Sequence, residues 1–499
     1  MAGVGFNLRR LVQRDDLMGI LAGFFYSTWV TAGPWILTIL SLFLIIWISD
    51  VAGYQTIAQF RLIIIYNFAF SLAFTAPVFM VVTRYLADLV FAAGDESADE
   101  GRDREKVLDR VPGMLLGSLV LVYVSQFPLV GFFYLWYVEL EPLVRVAAVV
   151  NYFLVAGLWV IAVYLTALKA YHVISTTFLV GLILSLLLAW LFAGNYSLAG
   201  MLMGFSIGLA VIMFGLIAYI FSEYTADARE PFGFVRYFRR YWELALAGLF
   251  YNLAIWVDKW IMWLFAPERE IIIPGMPSYP DYDAAMFLAY LSIIPGLAMF
   301  VISIETNFFM QYLRFYRDIQ KHVNFERIQE NLGRITSSLA SGLRSMIVLQ
   351  GGIVIVLLLL SPRLYELLGF SFTQIGMFRF GVLGAFFHVL LVMQFIILTY
   401  FDFRRLVMVL QGVFLITNIV FTFVSLNMGF PFYGAGYFAS TLFTFVVTYL
   451  AMVRYVGELP YRTFVRDNLS VKRMPPSLQV IPESRRRGVA GGGISTTGS

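Results

Sequence analysis

The 499-residue chain contains no cysteine. Disulfides, thiol nucleophiles and thiolate metal sites are therefore excluded. Histidine is nearly as scarce. His172, His322 and His388 are the three present, too few to suggest a multi-histidine metal centre. No cofactor is expected. Charge is thin as well. Asp, Glu, Lys and Arg make up 13% of the residues, against about 25% in a typical soluble domain. A net charge of +4 leaves no basic domain for nucleic acid, and 60% hydrophobic residues exclude a disordered chain. Gly5-Phe6-Asn7-Leu8-Arg9-Arg10-Leu11-Val12-Gln13-Arg14-Asp15-Asp16 shows no short apolar core with a small-residue cleavage site. The first apolar stretch is thus expected to stay in the chain as a span.

What is present is apolar sequence in long runs. Mean hydropathy is +0.80, and a soluble fold of this length could not hide that much apolar surface. A helix needs about 20 mostly apolar residues to cross a hydrocarbon core about 30 Å thick. Twelve such runs occur, near 24–48, 62–83, 112–137, 146–167, 173–193, 198–221, 243–265, 285–309, 346–368, 376–400, 406–427 and 433–453. They do not alternate polar and apolar residues as barrel strands do. The expected fold is an all-α polytopic membrane protein.

Lys and Arg set the orientation. With the N-terminus in the cytoplasm, 29 of the 35 basic residues fall on the cytoplasmic side. The six exceptions are Arg61, Arg145, Lys259, Arg269, Arg363 and Arg379. An even number of spans then places both termini in the cytoplasm. No connecting segment is long enough for a soluble catalytic domain of about 50 residues.

A repeat divides the spans. Gly23, Phe25, Tyr26, Trp35 and Ile36 coincide with Gly248, Phe250, Tyr251, Trp260 and Ile261 at an offset of 225 residues. Arg84-Tyr85-Leu86 echoes Gln311-Tyr312-Leu313 at an offset of 227. The expected organisation is an N-terminal six-helix lobe over 1–222, a cytoplasmic linker over 223–242 and a C-terminal six-helix lobe over 243–456. A cytoplasmic tail over 457–499 follows, flexible at its end. Because six is even, the repeats are parallel, related by an axis along the membrane normal. Two lobes around a central cavity is a transporter layout.

Charges inside spans mark candidate sites, since burying one costs at least ~2.5–3.5 kcal/mol. Asp258 and Lys259 fall mid-span and Glu305 falls in the inner half of span eight. Adjacent residues point about 100° apart on a helix. Asp258 and Lys259 are therefore expected to pair indirectly, or to face a cavity and an interface separately. Arg61 and Arg379, near span ends, fit snorkelling. His388 fits a hydrogen-bonded position in the bundle. Pro34, Pro77 and Pro295-Gly296 interrupt helical hydrogen bonding and are expected to kink their spans. In the 310–345 loop, Ile328, Leu332, Ile335 and Leu339 recur at helical spacing, with Glu326, Arg327, Glu330, Asn331 and Arg334 between them. This amphipathic helix can lie on the membrane, accept a partner or pack on its own bundle. Asp281-Tyr282-Asp283 fits a short D-x-D pattern, in which a metal-dependent glycosyltransferase would use both carboxylates.

Three segments carry a resemblance: Gly3-Val4-Gly5-Phe6 with Leu8-Arg9-Arg10-Leu11 and Arg14-Asp15; Ser27 through Ala32-Gly33-Pro34-Trp35; and Leu249-Phe250-Tyr251-Asn252-Leu253-Ala254-Ile255-Trp256-Val257-Asp258-Lys259-Trp260. With the span count, the chain from residue 3 to about 460 resembles the PelG family. Those proteins are inner-membrane components of the bacterial Pel exopolysaccharide system, in the multidrug/oligosaccharidyl-lipid/polysaccharide flippase-like superfamily. The resemblance implies a transporter, not an enzyme. It would export an amino-sugar polysaccharide made by a cytosolic glycosyltransferase, for the biofilm matrix. The implied partners are that glycosyltransferase, other Pel-system membrane components including a cyclic di-GMP receptor, membrane lipids and the polysaccharide; no nucleic acid is expected. Tyr251 and Asn252 join the candidate residues because they lie in the family-like segment. The alternatives are a flippase for lipid-linked oligosaccharide or small solutes, a membrane glycosyltransferase and a non-transporting scaffold for the synthase.

Overall fold

A computed structural model describes residues 53–93, 110–168, 171–224, 230–304, 308–320, 323–368 and 371–459, with Phe24, Thr28 and Thr38 from the first apolar run. Glu305, His322, Pro34 and the first copy of the 225-residue echo lie outside the described residues. So do the 94–109 loop and the tail beyond 459.

Among the described residues, ten helical elements are long and apolar enough to cross a membrane. In the first half these are α1 (Tyr54–Ala93), α2 (Arg110–Phe132, extended by a π-turn at Phe133–Tyr137), α3 (Pro142–Leu168) and α4 (Tyr171–Glu223). Helix α4 has 53 residues. At 1.5 Å per residue it would be about 80 Å long, far more than one crossing. Ser197, at φ 47° and ψ −126°, breaks it into two antiparallel limbs. These are the fifth and sixth expected spans. Gly200, Gly204 and Gly208 line the return limb. A methyl group at Gly204 would overlap the Ala189 nitrogen, and one at Gly200 the Phe192 carbonyl oxygen. Glycine at every fourth position thus lets the limbs touch backbone to backbone, as small residues do in membrane helices.

A short helix, α5 (Val235–Arg240), leads into the second half. There follow α6 (Trp242–Phe265), a hairpin of β1 (Glu270–Ile273) and β2 (Met276–Ser278), α7 (Pro280–Leu291), α8 (Ile293–Ser303) and α9 (Phe309–Gln320). Then come α10 (Phe325–Leu368), α11 (Gln374–Tyr400), α12 (Arg404–Met428) and α13 (Ala435–Gly457). Helix α11 is the centre of this half. Its membrane window is 72% buried, against 17% for the lipid-facing α10.

Three features add detail to the sequence expectations. Span eight is two helices, not one. Chain direction slips at Ser292, and Pro295 supplies no N–H to the carbonyl four residues earlier. Gln350 of α10 braces the break, donating from Nε2 to the Ser292 carbonyl at 2.7 Å. The 266–284 loop contains an antiparallel hairpin, turning at Gly275 with φ +88°. The amphipathic 310–345 segment is α9 and the first turns of α10, and its apolar stripe is covered. Ile328, Leu332, Ile335 and Leu339 are buried, with α9 packed on α10. Of the three uses open to that stripe, packing on its own bundle is the one realised.

The halves meet along α1 and α6. Near the hairpin, Tyr66 stacks on Trp263 at 4.8 Å and Phe70 on Trp260 at 4.8 Å and 5°. Farther along, Gly248 leaves room for Met80 and the Ala76 carbonyl. At the opposite end Tyr85 meets the edge of Tyr237. That end carries the arginines. Arg84, Arg240 and Arg404 surround the buried Tyr241 ring at 4.7–5.4 Å, and Arg84 and Arg404 share Asp402. Burial and the nearby Asp88 carboxylate raise the Tyr237 hydroxyl above its ordinary pKa.

Replacing Gly204 by leucine is expected to force the α4 limbs apart and lower stability by roughly 1–3 kcal/mol or more. A lower thermal midpoint in detergent checks this; an unchanged midpoint contradicts the close packing.

Candidate functional site

Deep in α6, Asp258 is fully buried and Lys259 is 6% exposed. The two pair directly, which corrects the expectation of separate directions. Lys259 Nζ donates to Asp258 Oδ1 and Oδ2, both at 3.0 Å, and to the Ile255 carbonyl at 3.1 Å. The four-carbon lysine stem is long enough to curl back one turn and bring its tip beside the preceding residue. Asp258 Oδ2 also accepts from the Tyr282 hydroxyl of α7 at 3.0 Å. The ammonium sits 4.7 Å from the Tyr290 ring centre, with Tyr437 and Trp256 at 5.8 and 5.9 Å. Aromatic faces attract a cation electrostatically, so the site holds the ammonium on every side.

A second set of hydrogen bonds begins about two turns earlier on α6, at Tyr251. His388 of α11 joins Tyr251 of α6 through Nε2 at 3.0 Å and Tyr437 of α13 through Nδ1 at 2.7 Å. Tyr437 and Tyr290 lie ring to ring at 5.4 Å. The ion pair and the histidine therefore share two tyrosines. Four helices, α6, α7, α11 and α13, converge on this cluster. Asn418 of α12 holds the α6 backbone beside it, donating to the Ala254 carbonyl at 2.8 Å.

The remaining sequence candidates lie elsewhere. Asn252 is buried but bonds to the Gly248 carbonyl of its own helix at 2.8 Å. Arg61 is exposed on α1. Arg379 is exposed on α11 and donates to Ser361 Oγ at 2.9 Å. Glu305 lies outside the described residues. The D-x-D carboxylates are engaged separately: Asp281 accepts from Gln374 at 2.6 Å and Asp283 from the Trp263 indole at 2.9 Å. Among the described residues no cluster of three or more His, Asp or Glu side chains is placed to hold a metal. Just outside the span, burial and the Glu268 carboxylate raise the Tyr279 hydroxyl above its ordinary value.

Sequence reading gave no role to Tyr282, named only as the middle of the D-x-D pattern, or to Tyr290 and Tyr437, which nothing marks among 28 tyrosines. It also missed a neutral network in the first half. Asn67 donates to Asn151 at 2.9 Å and accepts from Tyr134 at 2.6 Å, and Asn151 reaches Ser206 at 3.1 Å. Gln126 joins Thr75 and Tyr152. Among the described residues of α1 to α4, every buried polar side chain is uncharged. Among the described residues, the buried charges of the membrane interior thus belong to the second half.

The sequence profile of the PelG family, described as "Putative exopolysaccharide Exporter (EPS-E)", matches residues 1–464. The chain belongs to the PelG family. Comparison with the curated proteins found no match. Solved structures share the fold at low identity. A MATE transporter in the bent conformation is 12% identical, with a TM-score of 0.64 over 92% of this chain and 98% of that one. An outward-facing multidrug resistance MATE transporter of the MOP superfamily is also 12% identical, at 0.62 over 91% and 99%. A MOP superfamily transporter from Pyrococcus furiosus is 13% identical, at 0.60 over 87% and 96%. This PelG-family chain is thus a multi-pass membrane protein with the two-lobed MATE fold, and family and fold point to a transporter.

Replacing Asp258 by asparagine strands the Lys259 ammonium in the interior. Breaking one partner of a buried pair costs about 3–5 kcal/mol, whereas replacing both by apolar or neutral groups is near neutral. Asp258→Asn is expected to lower the thermal midpoint sharply, and Asp258→Asn with Lys259→Met to restore most of it. Equal midpoints for the single variant and the parent would contradict the pairing.

Proposed function

We propose that this chain exports an amino-sugar exopolysaccharide of the Pel type across the bacterial inner membrane, for the biofilm matrix. The observation that carries the reading is a PelG-family sequence on a MOP transporter fold, with one neutralised charge pair buried in the second half. The polymer is supplied by a cytosolic glycosyltransferase. That enzyme, the other Pel-system membrane components with their cyclic di-GMP receptor, and surrounding lipids are the proposed partners. The arginine-bearing end faces the cytosol, as the distribution of 29 of 35 basic residues supports. No enzymatic step is assigned to the chain.

The proposed role of the cluster is coupling. As a closed ion pair, Asp258 and Lys259 carry no net charge, so the bundle can close around them. A proton or cation taken up at Asp258 would release the ammonium from its carboxylate. Tyr282, Tyr290 and Tyr437 would pass that change from α6 to α7 and α13. Transporters commonly place such ionisable groups where two states differ in energy. The rings at the α1–α6 seam suit a sugar chain, whose flat apolar faces stack on aromatics. A lipid-linked substrate fits less well. Its diphosphate would need basic residues near the centre, and Lys259 is already paired while Arg61 and Arg379 are exposed.

Vesicles containing the chain, the partner synthase and labelled nucleotide sugars test the reading. Polymer sealed in the lumen of inverted vesicles, and resistant to external glycosidase, is expected. Polymer left fully accessible would favour a scaffold instead. The double variant Asp258→Asn with Lys259→Met is expected to fold, retain the synthase and export less than about a tenth of the parent's polymer, a loss of about 1.4 kcal/mol or more. Parental export by that variant removes the pair from the mechanism.

A further inference from the structure

Helices α9 and α10 form an antiparallel hairpin at the arginine-bearing end. Helical spacing puts Arg314 and Arg317 on one side of α9, and Arg327, Glu330, Asn331 and Arg334 on one side of α10. The two sides flank a half-open cavity of about 430 Å³ lined by those six residues. Its size lies within the range of small-molecule sites.

Four guanidinium groups meet there with few acids. Glu330 pairs with Arg334 at 2.7 Å. Asp318, 4% exposed beneath the cavity, accepts from Arg327 at 3.3 Å and from Asn331 at 2.8 Å. Among the described residues, Arg314 and Arg317 have no ion-pair partner. The cavity is left with an excess of two positive charges, on groups whose planar forks match phosphate oxygens. The buried Asp318 and Asn331 fix the α10 side, and the buried Phe315 anchors α9 between the two arginines. The arginines thus project from a packed helix hairpin, not from a loose tail.

The helix length separates two sources of phosphate. The apolar run of α10 begins near Met346, twelve residues beyond Arg334. At 1.5 Å per residue the Arg334 backbone lies about 18 Å from that boundary. A tilt of about 40° would still leave about 14 Å. The headgroup zone is only about 5–8 Å deep on each side. The cavity therefore stands in water, beyond the headgroups.

We propose that the α9–α10 cavity binds a soluble anion bearing a phosphate or diphosphate group, held chiefly by Arg314 and Arg317. Inorganic pyrophosphate is the probe. The full chain, in nanodiscs of neutral lipid, is titrated by calorimetry at low salt. Saturable binding is expected, weakening steeply as salt rises. Arg314→Gln with Arg317→Gln is expected to weaken it at least tenfold, while Arg344→Gln, outside the cavity, leaves it unchanged. All variants are compared by thermal midpoint. If the double variant does not fold, Arg317→Gln alone replaces it, with an expected weakening of at least threefold. Absence of saturable binding by the parent chain, or parental affinity in the folded cavity variant, overturns the proposal. A second arm uses nanodiscs containing phosphatidylglycerol. Retention of that lipid through Arg314 and Arg317, without pyrophosphate binding in neutral discs, assigns the site to a headgroup and overturns a soluble ligand.

Discussion

A lysine and an aspartate adjacent in sequence can lie deep in an apolar bundle only as a satisfied pair. Either charge alone would be pushed out or neutralised at large cost. Here the ammonium has both carboxylate oxygens, a backbone carbonyl and three aromatic faces around it. The carboxylate has a tyrosine besides. Much of the second half is arranged to permit this. Tyr282 comes from α7, Tyr290 from the turn before the helix break, Tyr437 from α13, and His388 from the enclosed α11 keeps Tyr437 in place. Moving any one of these helices changes the surroundings of the pair.

The two halves solve the same problem differently. In the first half, amides and hydroxyls satisfy one another without charge, through Asn67, Asn151, Gln126 and their partners. In the second, similar neutral groups such as Gln350, Asn418 and Thr444 are buried too, but a charge pair is added to them on α6. Between them, α1 and α6 are held by stacked rings and a close glycine contact, with an arginine–tyrosine cluster at one end and the hairpin at the other. Tyr66 ties the two features together, stacking on Trp263 while donating to the Pro277 carbonyl of the hairpin at 2.6 Å. A change at the pair therefore lies one helical turn from the seam between the halves.

Much of the architecture is readable from the chain alone. Eleven of the twelve expected spans fall on described helices, because a run of about 20 apolar residues has one solution in a bilayer. The limits of reading show in particular residues. The lysine stem's curl is invisible to a helical wheel, which projects Cβ directions and ignores side-chain length, so the wheel sets Asp258 and Lys259 apart. Pro295-Gly296 signals the break at Ser292, but nothing local signals its stabilisation by Gln350, 58 residues away. The stripe of Ile328, Leu332, Ile335 and Leu339 announces that something covers it; α9 as the cover is a fact of packing.

Sequence by itself determined that this is a helical membrane protein and which rare charges enter its apolar spans. Those properties depend on composition and on spacing along the chain, which local physics reads directly. Tertiary structure alone decided which charges meet. Arg61 and Arg379 stay at exposed positions, Lys259 turns to its neighbour, and three ordinary tyrosines become the surroundings of the pair. The reason is geometric. Partners of a buried charge are chosen by distance across helices, and residues far apart in sequence come within hydrogen-bonding reach only when the bundle packs.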